Sequence, residues 1–236
     1  MLRFIGIGAQ KSGTSWLYEV LSKHPSVSFP AGKEVHFWDA HYLNGVGWYS
    51  SLFSEDRCNG DITPAYAILP LDRIREVHQY FPSLRIVYLM RNPIERAWSS
   101  ARMALRRAEM EFCEASDQWF IDHFKSQGSL QRGDYANCLR NWMSVYPRES
   151  FLISRYETIA HDPVGFANRV LSHIGLGEFF SETHRPELSR PVFEGYKSAI
   201  RPELLQVLHR LYADKIDALS ELLEADFSDW KNRCWR

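Results

Sequence analysis

Arg3-Phe4-Ile5-Gly6-Ile7-Gly8-Ala9-Gln10-Lys11-Ser12-Gly13-Thr14-Ser15-Trp16-Leu17-Tyr18-Glu19-Val20-Leu21-Ser22-Lys23-His24-Pro25 is the stretch whose reading decides the fold. Arg3 to Gly8 is apolar and stops at glycine, which predicts a short buried strand. Thr14 to Lys23 predicts a helix: Trp16, Leu17, Val20 and Leu21 share one face, and Pro25 ends it. Gly8 and Gly13 bound the loop between them. Glycine lets the backbone turn sharply and aim its N–H groups inward, and the helix N-terminus adds partial positive charge. The unit is built to hold an anion. The plain alternative is a solvated glycine turn with a surface lysine.

Working outward, the same alternation recurs. Pro70 to Phe81 carries Ile74, Val77, His78 and Phe81 at helical spacing, and Arg85 to Met90 (RIVYLM) is a near-continuous apolar run of the kind covered on both faces in a parallel sheet. Pro93 starts a helix to about Arg107. Residues 116–126 and 135–146 read as helical, and Phe151 to Ser154 (FLIS) as another short strand. Asp162-Pro163 is an N-cap pair, Gly175 a stop signal, and Leu204, Leu208, Leu211, Tyr212, Ile216, Leu219, Leu222 and Leu223 line a final amphipathic helix. Strands alternating with helices predict an α/β fold, one domain over 1–236, with a central parallel sheet and helices on both faces. Such sheets bind ligands where strands end, which directs attention to the loops after Gly8 and Met90.

Composition agrees with an ordinary globular chain. Of 236 residues, 45% are hydrophobic and 24% charged, which excludes disorder and collagen-like repeats. The net charge is -1, so nonspecific binding of nucleic acid is not expected. No apolar run approaches the roughly 18 residues that span a bilayer, and Gln10-Lys11 interrupt the N-terminal stretch where a signal sequence would continue. Cys58, Cys113, Cys138 and Cys234 are widely spaced, with no CxxC pair or metal-like cluster. They read as reduced, mostly buried thiols, and the chain as cytoplasmic.

The first loop differs from the nucleotide P-loop G-x-x-x-x-G-K-[ST] in one respect. Gly8 and Gly13 keep the spacing, but Thr14 stands where the lysine belongs, and the lysine is Lys11. The second loop, Arg91-Asn92-Pro93-Ile94-Glu95-Arg96-Ala97-Trp98-Ser99, follows the strongest strand. Its arginine offers a planar fork for phosphate oxygens, and Ser99 lies about two helical turns on. An ion pair of Arg91 with Glu95 is the plain alternative. From Arg91 to Arg107 five arginines face Glu95 alone, which suits an anion. Lys33-Glu34-Val35-His36-Phe37-Trp38-Asp39 alternates; if extended, Glu34 and His36 share a side, and either could accept a proton from a hydroxyl.

These residues resemble the sulfotransferases that use 3′-phosphoadenosine 5′-phosphosulfate (PAPS) and release 3′,5′-ADP. QKSGTSWLYEVLSKHP is similar to the family's 5′-phosphosulfate loop, which implies that Lys11 contacts the bridging oxygen and that Ser12, Gly13, Thr14, Ser15 and Trp16 wrap the 5′-phosphate. Arg91 and Ser99 resemble its 3′-phosphate site. KEVHFWD, GVGWYSSLF and ITPAY resemble the heparan sulfate type of glycan sulfotransferase, in which the glutamate, here Glu34, is the general base; His36 is the runner-up. That group often has a lysine before T-P-A-Y, where this chain has Ile62. Tyr156-Glu157 resembles the family's Y-E motif, and Gly195, Lys197 and Arg201 a loop that closes over the nucleotide. The resemblance implies a P-loop-like sulfotransferase fold, no metal, and a glycan, lipid or small metabolite as acceptor partner. A P-loop kinase or NTPase, and a noncatalytic nucleotide-binding protein, are the rival readings.

Overall fold

The computed structural model describes residues 1–190, 192 and 199–232. Among the described residues are five strands: β1 (Leu2–Gly8), β2 (Val27–Ser28), β3 (Cys58–Ile62), β4 (Arg85–Met90) and β5 (Phe151–Arg155). The helices in chain order are α1 (Thr14–Leu21), α2 (Val46–Ser51), α3 (Leu71–Tyr80), α4 (Pro93–Arg107), α5 (Asp117–Lys125), α6 (Gln127–Gly133), α7 (Tyr135–Met143), α8 (Glu157–His161), α9 (Pro163–His173), α10 (Arg185–Leu188), α11 (Pro202–Leu223) and α12 (Asp229–Asn232). The chain divides into two compact units, residues 1–90 with 141–192, and residues 91–140 with the described part of 193–236.

The first unit holds the sheet, all parallel, in the order β2-β3-β1-β4-β5. β1 is central because its run is apolar on both faces: Phe4, Ile5 and Ile7 are fully buried. Phe4, with Ile62, Val87 and Leu89 of the neighbouring strands, packs on Trp16, Leu17, Val20 and Leu21 of α1 and on Phe166, Val170 and Leu171 of α9. Ile5, Ile7, Ile86 and Tyr88, at alternate positions, point the other way and are equally buried. The connection after β1 leads toward β2 and β3, and the one after β3 leads back to β4. Strand order reverses there, the place where open parallel sheets take ligands.

Local signals set the helix ends. Asn92 accepts a hydrogen bond from the Ile94 N–H (3.0 Å) and Pro93 follows it, so α4 starts where predicted. Asp162 accepts from the Gly165 N–H (3.0 Å) to open α9, and Gly175 follows it with φ +84°.

In the second unit, α11 turns a narrower stripe inward than its apolar pattern predicts. Leu204, Leu208, Tyr212, Ile216 and Leu219 are buried; Leu211, Leu222 and Leu223 are partly exposed. Of the three described cysteines only Cys138 is buried, fewer than expected; Cys58 is half-buried and Cys113 exposed. No helix among the described residues is long and apolar enough to cross a membrane.

Candidate active site

The loop after β1 is shaped by two positive backbone angles. Lys11 has φ +69° and Gly13 φ +92°, the latter in the N-cap position of α1. A Cβ on Gly13 would lie 2.8 Å from Ile159 Cδ1 and 3.0 Å from Tyr156 Cδ2, so only glycine fits. The first intrahelical bond runs from the Leu17 N–H to the Gly13 carbonyl (3.0 Å). The amides of Thr14, Ser15 and Trp16 therefore precede the helical ladder and are available to an anion. Ser12 is fully buried, and its Oγ has no hydrogen-bond partner among the described residues. An orphaned buried hydroxyl beneath free helix amides suits a phosphate oxygen.

Trp16 and Tyr156, both expected at the nucleotide, also have structural contacts. The Trp16 side chain lies in the core: its ring stacks on Phe166, and its Nε1–H donates to the Leu188 carbonyl (2.7 Å). Only the Trp16 amide is left for an anion. The Tyr156 ring packs on Gly13, and its N–H donates to the Met90 carbonyl (2.6 Å), tying the ends of β4 and β5 together. Tyr156 thus forms the wall that fixes Gly13.

The segment 33–39 is not extended, so the alternation argument for Glu34 and His36 fails. Both have left-handed backbone, φ +64° and +54°. They meet all the same: His36 Nε2 is 3.5 Å from Glu34 Oε2, and His36 Nδ1 is 2.9 Å from Asp39 Oδ2. Lys33 pairs with the other Glu34 oxygen. The glutamate is 39% exposed, open enough to meet an acceptor from solvent. Asp39, the far end of this row, stands in the KEVHFWD motif, and residue type and spacing alone give it no part. Ile62 is fully buried, with its side chain 3.0 Å from where a Gly6 Cβ would stand.

In the second unit, Arg91 Nε donates to Glu95 Oε2 (2.7 Å), so the plain alternative for this arginine is realised in part. The Tyr135 hydroxyl donates to the Arg91 carbonyl (2.7 Å) and holds the backbone there. Ser99 is partly exposed on α4. Burial and the nearby Arg91 charge both lower the pKa of Arg102. The string of five arginines is not one solvated field, however. Arg96 is fully buried, and its Nη2 donates to the Ser129 carbonyl (3.0 Å), the Ser129 hydroxyl and the Tyr212 hydroxyl. Arg201 is engaged within this unit, paired with Asp117 and lying over the Phe112 ring. Gly195 and Lys197 lie outside the described residues.

Comparison with known proteins bears on these loops together. The sulfotransferase domain family matches residues 3–198. Heparan sulfate glucosamine 3-O-sulfotransferase 6 of Mus musculus is 29% identical over 184 residues, covering 75% of this chain and 53% of that protein. Heparan sulfate glucosamine 3-O-sulfotransferase 3B1 of Homo sapiens is 28% identical over 187 residues, 75% of this chain and 47% of its own. The chain spans about half the length of these relatives. Among solved structures, a sulfotransferase from Alicyclobacillus acidocaldarius superposes with TM-score 0.76 at 24% identity, covering 98% of this chain and 99% of that one. Mouse sulfotransferase SULT7A1 complexed with PAP superposes with TM-score 0.62 at 16% identity, over 94% and 88% of the two chains. The structural likenesses carry the fold. The family match takes in the glycine loop, the Glu34–His36 segment and the Arg91 loop alike, and by it this chain belongs to the sulfotransferase domain family.

Proposed function

We propose that the chain transfers a sulfuryl group from PAPS to an acceptor hydroxyl or amine and releases 3′,5′-ADP. The observation that carries this reading is the loop after β1, where the partnerless buried Ser12 hydroxyl lies in one turn with the unladdered amides of Thr14, Ser15 and Trp16. PAPS, when bound, supplies the activated sulfuryl group. Lys11 and the loop amides stabilise negative charge on the departing phosphate. Arg91 and Ser99 hold the 3′-phosphate and select the donor. Glu34 takes the acceptor proton as the bond to sulfur forms and the sulfur–phosphate oxygen bond breaks. His36, hydrogen-bonded to Asp39, orients that carboxylate.

The acceptor is left wider than a sulfated polysaccharide. Where the heparan sulfate type often carries a lysine, Ile62 is buried in the sheet and presents no cation. A glycan, a lipid headgroup and a small metabolite all fit the same proton transfer.

Donor selection gives the test. Wild-type protein and Arg91→Ala are titrated calorimetrically with 3′,5′-ADP and 5′-AMP, without metal. The wild type should prefer the bisphosphate, and the variant should lose about 2–4 kcal/mol of that preference, one charge-assisted fork. Equal wild-type affinity for both nucleotides overturns the assignment.

A further inference from the structure

We infer that Asp61 is a positioning residue for the transfer reaction: through Thr63 and Tyr66 it holds Glu34 and His36 in their left-handed backbone. The inference rests on the reading of Glu34 as the base. Asp61 is fully buried on β3 and has no basic partner among the described residues. Thr63 Oγ1 donates to its Oδ1 (2.7 Å), and the hydroxyls of Tyr49 (2.8 Å) and Tyr66 (2.9 Å) both donate to its Oδ2.

Two of these donors reach onward to the base segment. The Tyr66 oxygen accepts the Phe37 N–H (2.9 Å), and Thr63 Oγ1 accepts the His36 N–H at a longer 3.4 Å. The Glu34 N–H donates to the Ile62 carbonyl (3.1 Å), one residue beyond Asp61. Three amides, those of Glu34, His36 and Phe37, are thus held by β3 and by groups bonded to Asp61. A glutamate and a histidine both at φ above +50° are strained, and such strain persists only where surroundings over-determine it. The Asp61 cluster supplies that constraint. Burial raises the Asp61 pKa, and it raises those of Tyr49 and Tyr66 as well, so both phenols stay donors.

Tyr49 makes the inference testable. It bonds the same Asp61 oxygen as Tyr66, but it accepts no N–H from residues 34–37. A merely structural cluster would respond alike to losing either hydroxyl. Tyr66→Phe and Tyr49→Phe both keep their rings, and Asp61→Asn removes the charge. Three readouts are taken: 3′,5′-ADP affinity, hydrogen exchange of residues 33–39 against β1, and turnover of labelled PAPS with phenol, glucosamine and an N-sulfated heparan hexasaccharide. Tyr66→Phe should speed exchange in 33–39 by about tenfold, the worth of one net hydrogen bond. It should lower kcat by about 10- to 100-fold, as small misplacements of a catalytic group do, with nucleotide affinity unchanged. Tyr49→Phe should leave exchange in 33–39 and kcat within about twofold, at a similar loss of stability. Asp61→Asn should exceed Tyr66→Phe; if it fails to fold, the tyrosine pair still decides. Equal effects of the two tyrosines on exchange and kcat overturn the inference. If wild type turns over no acceptor, the transfer reading falls, and exchange alone decides whether Asp61 holds the segment.

Discussion

Gly13→Ala probes the loop at its tightest point. The backbone there sits at φ +92°, where an L-residue is disfavoured by about 1–2 kcal/mol. The new methyl also meets Ile159 Cδ1 at 2.8 Å and the Tyr156 ring at 3.0 and 3.1 Å. Overpacking of this kind adds about 1–3 kcal/mol, for a combined loss of about 2–5 kcal/mol. Gly32→Ala is the control: its φ is +75°, and nothing lies within 4 Å of its Cβ position. It should carry the backbone cost alone. In calorimetry at about 2–4 °C per kcal/mol, Gly13→Ala should melt roughly 4–20 °C below wild type, and Gly32→Ala only a few degrees below. Since Gly13 opens α1, 3′,5′-ADP affinity should fall about tenfold or more in the first variant and hold in the second. Ile159→Val deletes the Cδ1 atom itself, so in the Gly13→Ala background it should cost less than its usual 0.5–1.5 kcal/mol (about that range elsewhere) or even restore stability. Strict additivity, or equal melting of the two alanine variants, would refute the packing argument.

Three further outcomes are expected. Lys11→Ala should lower kcat by about 10²-fold or more while weakening 3′,5′-ADP far less, because its charge counts most as the phosphate departs; normal turnover would make it a surface residue on a glycine turn. Glu34→Gln should cost about 10²–10⁴-fold in turnover with nucleotide binding intact, and His36→Ala less; a live Glu34→Gln with a dead His36→Ala would transfer the base to the imidazole. Burial first, then the Arg85 charge, lowers the pKa of His173 from 6.5, and its ring bonds the Ser150 carbonyl. The unfolded chain therefore takes up that proton more readily, and stability should fall as pH drops below about 6.5. His173→Gln should flatten that slope in urea melts between about pH 7.5 and 5, and an unchanged slope would assign it to other groups.

What could be read from the sequence was whatever local chemistry decides. β1, α1, β4 and α4 follow from apolar runs, glycine stops and proline starts, and the Asp162 cap and Gly175 stop bound α9 as expected. β3 could not be read this way. Cys58-Asn59-Gly60-Asp61-Ile62 is polar and carries an Asn-Gly pair, yet it lies beside the central strand. Gly60 is there because a Cβ would stand 2.1 Å from Phe4 Cζ, a contact visible only after β1 and β3 pair. The five arginines of residues 91–107 read alike on paper; packing buried Arg96 against Ser129 and Tyr212 and left Arg106 and Arg107 exposed.

The amino-acid sequence by itself determined the strand–loop–helix unit, the displaced lysine at Lys11, the Arg91–Ser99 spacing and the presence of Glu34 beside His36, because each depends on residue type and short spacing. Tertiary structure decided how those groups are held. Tyr156 and Ile159 crowd Gly13 from more than 140 residues away, and Asp61, with Thr63 and Tyr66, grips the segment carrying Glu34 and His36. Such constraints come from side chains remote along the chain, and a left-handed glutamate is favourable only once they are in place.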